Sequence, residues 1–497
     1  MMINIYRKII LLILFAFFLY PFNGFTQSPD LQTIHAGVHF DEPLREWDGF
    51  GFNYVEEAQF RNIDTIRQEY GGFSYLDEKS KSEILELVFG EDGLKPAIVK
   101  MFLDPFHQEK SGGPYTHEKT TKNMLYLVEK GLKITRDHGS DFHIITTLYG
   151  PPAYMTRQKV LRGRDFDSSH KRDLADYLID WARFLTEEKN LPLQYISLHN
   201  EGDDWQRWPV DGGDSEDHYN HDYNMFWPPE QVVEYLKYLP DRLKEEGLGH
   251  IRVTPGECYG WDRFIDYGYA RAICSDKKAL ENLGLITSHG FVNFGWGRWN
   301  PYHTSVGTDM IREFRPELKA WVTSTSWSSM DAAFIREMYG NIYNSKVNAI
   351  IPWAGVQRPG LWVGGDPNAG CAFHVFDDGT WKIRKGYYFY KQVTRAGRPG
   401  MAVATTISMD PQIKIIGFSS NGTNNPNAFV IINVSNDAKE LQISLTGTDS
   451  DSFEGYRSTN DETDLYKFLG TFNISKRVMN YAAPPGSVTT FFGKKNN

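Results

Sequence analysis

From about residue 46 to 395 the chain alternates short apolar runs with stretches of helical hydrophobic period. The runs are "WDGFGFNYVE" (47–56), "AIVKMFLDP" (97–105), "FHIITTLYGPP" (142–152), "LQYISLHNEG" (193–202), "HIRVTPGE" (250–257), "GLITSHGF" (284–291), "LKAWVTSTS" (318–326) and "VNAIIPWAG" (347–355). They read as eight buried strands. One intervening helix begins with the capping-box pattern Ser80-x-x-Glu83 and stops at Gly90. A second carries Leu174, Tyr177, Leu178, Trp181 and Leu185 on one face. A third runs from Pro229 to Glu246, with Val233, Leu236, Leu239 and Leu243 inward and Gly247 as its stop. Eight strands alternating with helices predict an α/β fold, a (β/α)8 TIM barrel over residues 45–395. A doubly wound open sheet is the alternative, but it finds no Gly-rich phosphate loop to support it.

After "RAGRPG" (395–400) the helical period disappears. "QIKIIGFSS", "NAFVIINVS", "ELQISLTG" and "GSVTTFFG" are β-rich runs divided by Asn-Gly, Asn-Asp and Pro-Gly turns. They predict an attached β-sandwich domain over 396–495, which the alternating run "LQTIHAGVHF" (31–40) joins, so that residues 28–44 belong to it. At the other end, Arg7 and Lys8 precede an apolar run from Ile9 to Phe22, followed by small or polar residues. That order predicts a Sec-type signal peptide over residues 1–26, with cleavage near Gln27 and no lipobox cysteine. An uncleaved anchor is the alternative, although the run is short of the roughly 20 residues a span needs.

Composition narrows the function. A formal charge of −10 argues against nucleic acid or an anionic membrane as partner. Three cysteines, Cys258, Cys274 and Cys371, allow at most one disulfide in an exported chain. The aromatic content (13 Trp, 27 Tyr, 32 Phe) reads either as sugar-stacking platforms or as a large aromatic core.

Barrel enzymes build their sites at the C-terminal strand ends. Here those ends deliver Lys100 and Asp104 (second strand), Tyr149 (third), His199-Asn200-Glu201 (fourth), Glu257 (fifth), His289 (sixth) and Trp353 (eighth); the first opens onto Glu56 and Glu57. Glycosidic hydrolysis needs a carboxylic acid to protonate the leaving oxygen and an amide to hold a neighbouring hydroxyl. Asn200-Glu201 meets both needs; the alternative is a strand-end glutamate merely paired with a loop arginine such as Arg207. His289 reads as a hydroxyl ligand or as a hydrogen-bonded barrel histidine. Trp205, Trp208, Trp227, Trp261, Trp296, Trp299, Trp327, Trp353 and Trp362, with Tyr302, are candidates to line a sugar cleft. Arg298 and Arg358 read as partners of loop acids ahead of ligands for an anionic substituent. "GDSEDHYNHD" (213–222) is acidic but lacks EF-hand spacing, and no zinc motif is present, so no metal or cofactor is expected.

In order along the chain, "DGFGFNYVEEA", "VFGEDGL", "YGPPAYM", "SLHNEG", "SHGF", "GYYFYKQVTRAGRPG" and "PPGSVTTFFG" resemble glycoside hydrolase family 30, a clan-A (β/α)8 family that includes glucosylceramidases, endo-xylanases and β-1,6-glucanases. The resemblance implies Glu201 as general acid/base and Asn200 as a substrate-hydroxyl contact. It implies a nucleophilic glutamate at the end of the seventh strand, in a "W-x-[ST]-E" setting. In this chain the pattern falls on Trp321-Val322-Thr323-Ser324, so Ser324 occupies the nucleophile position. A serine without a general base is no equivalent nucleophile.

Three explanations stand open. Ser324 is an engineered replacement; or the enzyme is inverting, with Glu257, Asp104, Glu56 or Glu57 holding a water roughly 6.5–9.5 Å from Glu201; or the barrel binds glycan without cleaving it. The sequence therefore predicts a secreted, monomeric glycoside hydrolase acting on a β-linked glycan, with a glycan-binding barrel as the alternative. Asn200, His289, Trp205, Trp296, Trp299, Trp327, Trp353, Tyr149, Lys100 and Asp104 are the expected substrate contacts.

Overall fold

The eight apolar runs form one parallel sheet in the computed structural model, which describes residues 33–55, 71–209, 223–291, 303–358 and 370–495. Its strands are β2 (Gly49–Asn53), β3 (Ile98–Leu103), β4 (His143–Leu148), β5 (Leu193–Ser197), β6 (Arg252–Thr254), β7 (Ile286–Ser288), β8 (Ala320–Thr325) and β9 (Ala349–Pro352). Neighbours run in the order β6-β5-β4-β3-β2-β9-β8-β7. The two ends meet through backbone bonds from Gly284 N–H to the Val253 carbonyl and from His289 N–H to the Cys258 carbonyl, both 2.9 Å. The sheet is thus a closed (β/α)8 barrel.

Strand alternation decides what fills it. Ile98, Ile145, Tyr195, Leu285, Trp321, Ala349 and Ile351 form one buried cluster, in which the Tyr195 and Trp321 rings meet edge to face at 5.0 Å. This plug closes the end of the barrel where the strands begin. Higher up, the inward side chains turn polar, with Lys100, Thr147 and Glu257 buried there.

The helices cover the barrel as the periodicity requires. Leu174, Tyr177, Leu178 and Trp181 are buried along Lys171–Arg183, and Leu185 follows in a single π turn. The helix read as starting from a Ser80 capping box spans Glu78–Phe89 and is capped instead by Asp77, whose carboxylate accepts the Ser80 N–H at 2.7 Å. In Pro229–Glu245 the inward positions are Val232, Tyr235, Leu236, Leu239 and Leu243, with Val233 at the edge of the buried face. Among the described residues no helix is long and apolar enough to cross a membrane.

A small sheet, β10 (Val356–Gln357), β11 (Phe373–Val375) and β12 (Trp381–Ile383), follows β9. Beyond the helix Lys385–Ala396, a nine-stranded sheet combines β1 (Ile34–Glu46) with β13 (Ala402–Ser408), β14 (Ile413–Ser419), β15 (Ala428–Asn433), β16 (Lys439–Thr446), β17 (Ser452–Thr459), β18 (Lys467–Asn473), β19 (Val478–Ala483) and β20 (Ser487–Lys494). β1 pairs antiparallel with β13 and parallel with β16. The edge strands β18 and β19 approach across the fold, with the Phe472 and Tyr481 rings 5.8 Å apart, so the sheet closes on its own apolar core as a sandwich. Gln392 on the preceding helix donates to Ser458 Oγ at 2.9 Å, its carbonyl accepts from Thr490 at 2.9 Å, and Phe418 packs on Trp47 at 5.5 Å. These contacts join sandwich to barrel. Cys258, Cys274 and Cys371 form no disulfide with one another.

Candidate active site

The end of β5 is bent before it reaches solvent. Glu257 N–H bonds the His199 carbonyl at 2.9 Å, and Glu201 N–H bonds the Glu257 carbonyl at 2.8 Å. Glu201 sits at φ 45°, a left-handed conformation uncommon for a residue with a side chain. Such local strain persists where the surroundings over-determine it. Those surroundings include Gly256 at φ +97°, whose missing side chain leaves room for the His199 ring; a Cβ there would lie 2.1 Å from it. Burial holds His199 neutral, its pKa down to about 3, and its Nδ1 accepts the Gly202 N–H at 3.1 Å.

This bend turns the Glu201 carboxylate toward two cations. Oε1 lies 2.8 Å from His289 Nδ1, and Oε2 accepts from the Arg207 guanidinium, which also bonds Asp204 at 3.1 Å. The sequence alternatives for Glu201 and His289 are therefore both present: Arg207 is the partner of Glu201, and His289 is hydrogen-bonded within the barrel.

The other edge of the His289 ring meets a second carboxylate, with Nε2 3.0 Å from Glu257 Oε2. Lys100 Nζ reaches the same oxygen at 2.5 Å, and Thr147 donates to Oε1 at 2.7 Å. Lys100 and Glu257 are both fully buried. Burial opposes ionisation of Glu257, but Lys100 and His289 outweigh it and hold the carboxyl down at about 2. For Lys100 burial prevails, and its ammonium titrates below the usual lysine range despite Glu257. His289 is pushed the other way: burial would lower it, yet the hydrogen bonds to Glu201 and Glu257 raise it. Its ring satisfies both carboxylates only as an imidazolium, with two N–H donors.

The remaining candidates separate into mouth and core. Asn200 donates to Asn224 at 3.2 Å, and its buried Oδ1 has no partner among the described residues. Tyr149 and Trp353 flank Phe102 edge to face, at 5.1 and 6.1 Å. Trp205 is 54 % exposed, two residues from Arg207. Lys100, expected as a substrate contact, is instead consumed by Glu257. Glu257, expected as an alternative catalytic carboxylate, is locked beneath His289 and out of reach of solvent. Asp104 turns to the helix layer: it accepts Phe106 N–H at 2.8 Å, faces His107 Nε2 at 3.4 Å, and its carbonyl takes the Tyr177 hydroxyl at 2.5 Å.

Four expected platform tryptophans are core residues. Trp327 donates to the Trp353 carbonyl at 2.6 Å, Trp208 to that of Arg162 at 2.8 Å and Trp261 to Asn341 at 3.0 Å, while Trp227 is buried against Tyr235 at 5.2 Å. Arg358 pairs with Asp377 at 2.9 Å. Glu56, Glu57, Trp296, Arg298, Trp299, Tyr302, Trp362 and the acidic run 213–222 lie outside the described residues.

Ser324 is 1 % exposed on β8. Val322 pairs with Ile350 but Thr325 with Pro352, so β8 carries one residue more than β9 at this point. A bulge of this kind re-aims side chains at strand ends. The backbone irregularity thus falls at the position where a strand-end carboxylate is expected, and a hydroxyl occupies it. Sequence reasoning passed over Asp203, which is fully buried, accepts the Tyr259 N–H and feels the charge of Glu201. Burial raises its carboxyl to about 6, with Arg263 at 3.5 Å pulling against it; its only trace in the sequence is its place directly after Glu201-Gly202.

No protein-family model matches the chain, and no curated protein is similar to it in sequence. Solved structures do match. The GH30 endoxylanase from Clostridium papyrosolvens C71 superimposes with a TM-score of 0.65 at 16% identity, over 93% of this chain and 100% of that one. The fold is that of family 30 glycoside hydrolases. SrfJ from Salmonella typhimurium gives 0.68 at 15% identity (95% and 94% of the two chains), and an endo-β1,6-glucanase gives 0.65 at 16% (93% and 94%). At such identities the likeness concerns the fold alone; the roles of Glu201 and Ser324 rest on the site itself.

Proposed function

We propose that the protein hydrolyses a β-linked glycan at the mouth of the barrel, with Glu201 as the acid that protonates the leaving oxygen and Asn200 as a contact for the adjacent sugar hydroxyl. The observation that carries this reading is the held geometry of Glu201: a carboxylate in a left-handed backbone conformation at the mouth, fixed on one oxygen by His289 and on the other by Arg207. Preorganised groups of this kind act where charge and protons move. The buried Oδ1 of Asn200, without a partner among the described residues, supplies an acceptor beside it. The pair with Arg207 has to open before Glu201 can carry a proton to a leaving group, and a glycan hydroxyl entering against Arg207 would open it. Because Ser324 is not a carboxylate, no covalent glycosyl-enzyme forms there. Water then attacks the anomeric carbon directly and inverts it.

One observation favours a second reading. Ser324 and the closed Arg207–Glu201 pair together describe a site able to hold a glycan without cleaving it. Glu201→Gln separates the two. Under the hydrolase reading, reducing-end release from a panel of β-glycans falls at least a hundredfold while binding measured by calorimetry stays within fivefold. Release of nothing by the unaltered protein, with binding intact, establishes the second reading.

A further inference from the structure

Arg207, Glu201, His289, Glu257 and Lys100 form a single file of alternating charge running from the mouth into the barrel. Its deep end is unexplained by glycan hydrolysis alone, because Lys100 and Glu257 have no exposed surface and cannot touch a substrate. Nor is stability a sufficient reason, since apolar side chains of the same volume often replace a buried ion pair without loss. What Glu257 adds, held ionised by Lys100, is a fixed carboxylate directly beneath the imidazole. We infer that Glu257, itself paired with Lys100, keeps His289 charged, and that His289 is the positioning residue which passes its Nδ1 proton to Glu201 once a glycan hydroxyl displaces Arg207.

This inference rests on the hydrolase reading. The His289 Nδ1–H bond breaks as the Glu201 Oε1–H bond forms, and the ring keeps its Nε2–H on Glu257. Glu201 gives that proton to the glycosidic oxygen as the anomeric C–O bond breaks. Water supplies hydroxide to the anomeric carbon, and its other proton returns to the imidazole through solvent. The sum is addition of one water across the bond. The groups facing the ring are Glu201 and the neutral His199 from the end of β5, Glu257 from the end of β6 and Lys100 from β3; the Phe291 ring lies edge-on at 5.6 Å. Arg207 and Asp203 act on it through Glu201.

The test uses the full-length protein labelled with ¹⁵N-histidine, with the His289 signals assigned by their loss in His289→Asn. Both ring nitrogens are expected to be protonated at pH 7. Glu257→Gln, which preserves size, is expected to move the midpoint down by at least one pH unit. The alkaline limb of the kcat profile should move down by the same amount, with KM changed less than threefold. Lys100→Met serves as a second variant: the Lys100 ammonium opposes the charge on His289, so its removal is expected to move both midpoints up. A singly protonated His289 at pH 7 overturns the inference, as does an NMR midpoint that moves while the pH–rate profile stays fixed. A protein that turns over no glycan removes the proton's destination and defeats the hydrolase reading. NMR signals that still report an imidazolium in that protein show that the failure lies in the reading rather than in the charge of His289.

Discussion

Replacing Lys100 with methionine removes the cation from the deep end of the charged file and leaves Glu257 ionised in the barrel interior. The size of the effect follows from the carboxyl's titration. A drop from 4.5 in the free residue to about 2 in the folded chain corresponds to about 3 kcal/mol of stabilisation of the carboxylate. That gain is shared between Lys100 and His289. Breaking a fully buried pair by deleting one partner typically costs about 3–5 kcal/mol, because the other charge is stranded. We expect Lys100→Met to lose about 3 kcal/mol at pH 7, read from the urea midpoint at unchanged m-value. The double variant Lys100→Met/Glu257→Gln should lose less than about 1.5 kcal/mol, since burial of the Lys100 ammonium works against the pair and disappears with it. The pH dependence fixes the sign. Glu257 titrates lower in the folded than in the unfolded chain, so its contribution is complete above pH 4.5 and is lost as pH falls toward 2. The gap between wild type and Lys100→Met should accordingly narrow below pH 4.5. A loss under about 1 kcal/mol at pH 7, or a double variant as weak as the single one, refutes the reasoning.

Asp203 carries the opposite linkage: its carboxyl is raised from 3.8 to about 6, so wild type should lose about 3 kcal/mol relative to Asp203→Asn as pH rises from 4 to 7, a trend that denaturant titrations at several pH values read directly. Trp327→Ala should destabilise by about 3–5 kcal/mol, since the ring is buried against Phe334 and Tyr390, whereas Trp205→Ala should stay within about 0.5 kcal/mol in stability and weaken glycan binding instead. Ser324→Glu places a carboxylate at the β8 bulge; proton NMR of the first-formed product should then show a retained anomeric configuration in place of the inverted one.

The barrel was legible because a strand buried on both faces is a continuous apolar run, and the covering helices repeat their apolar face every 3.6 residues. The sandwich was legible from its turn residues and alternation. The site was legible only in part. Asn200-Glu201 could be placed because it ends a strand, but the partner of Glu257 is Lys100, 157 residues away, and no local pattern announces that pairing. A free strand-end glutamate and a neutralised one look alike in sequence. The tryptophans failed for a similar reason. Trp208, Trp261 and Trp327 send their indole N–H groups to carbonyl or amide oxygens of the protein, which a count of aromatic residues cannot reveal. Ser80 lost its expected cap because Asp77, three residues earlier, accepts the N–H at that distance.

The central claim is that Glu201 donates the proton to the leaving group, and leaving-group dependence tests it most directly. Acid catalysis matters for a sugar leaving group and hardly at all for dinitrophenolate, which departs without protonation. General acid–base catalysis is worth about 10²–10⁴ in rate. Measured as kcat/KM, Glu201→Gln should lose at least about a hundredfold on a β-glycan oligosaccharide and less than about tenfold on the matching dinitrophenyl β-glycoside. Equal losses on both substrates, or no loss on the oligosaccharide, would contradict the assignment of Glu201 as the acid.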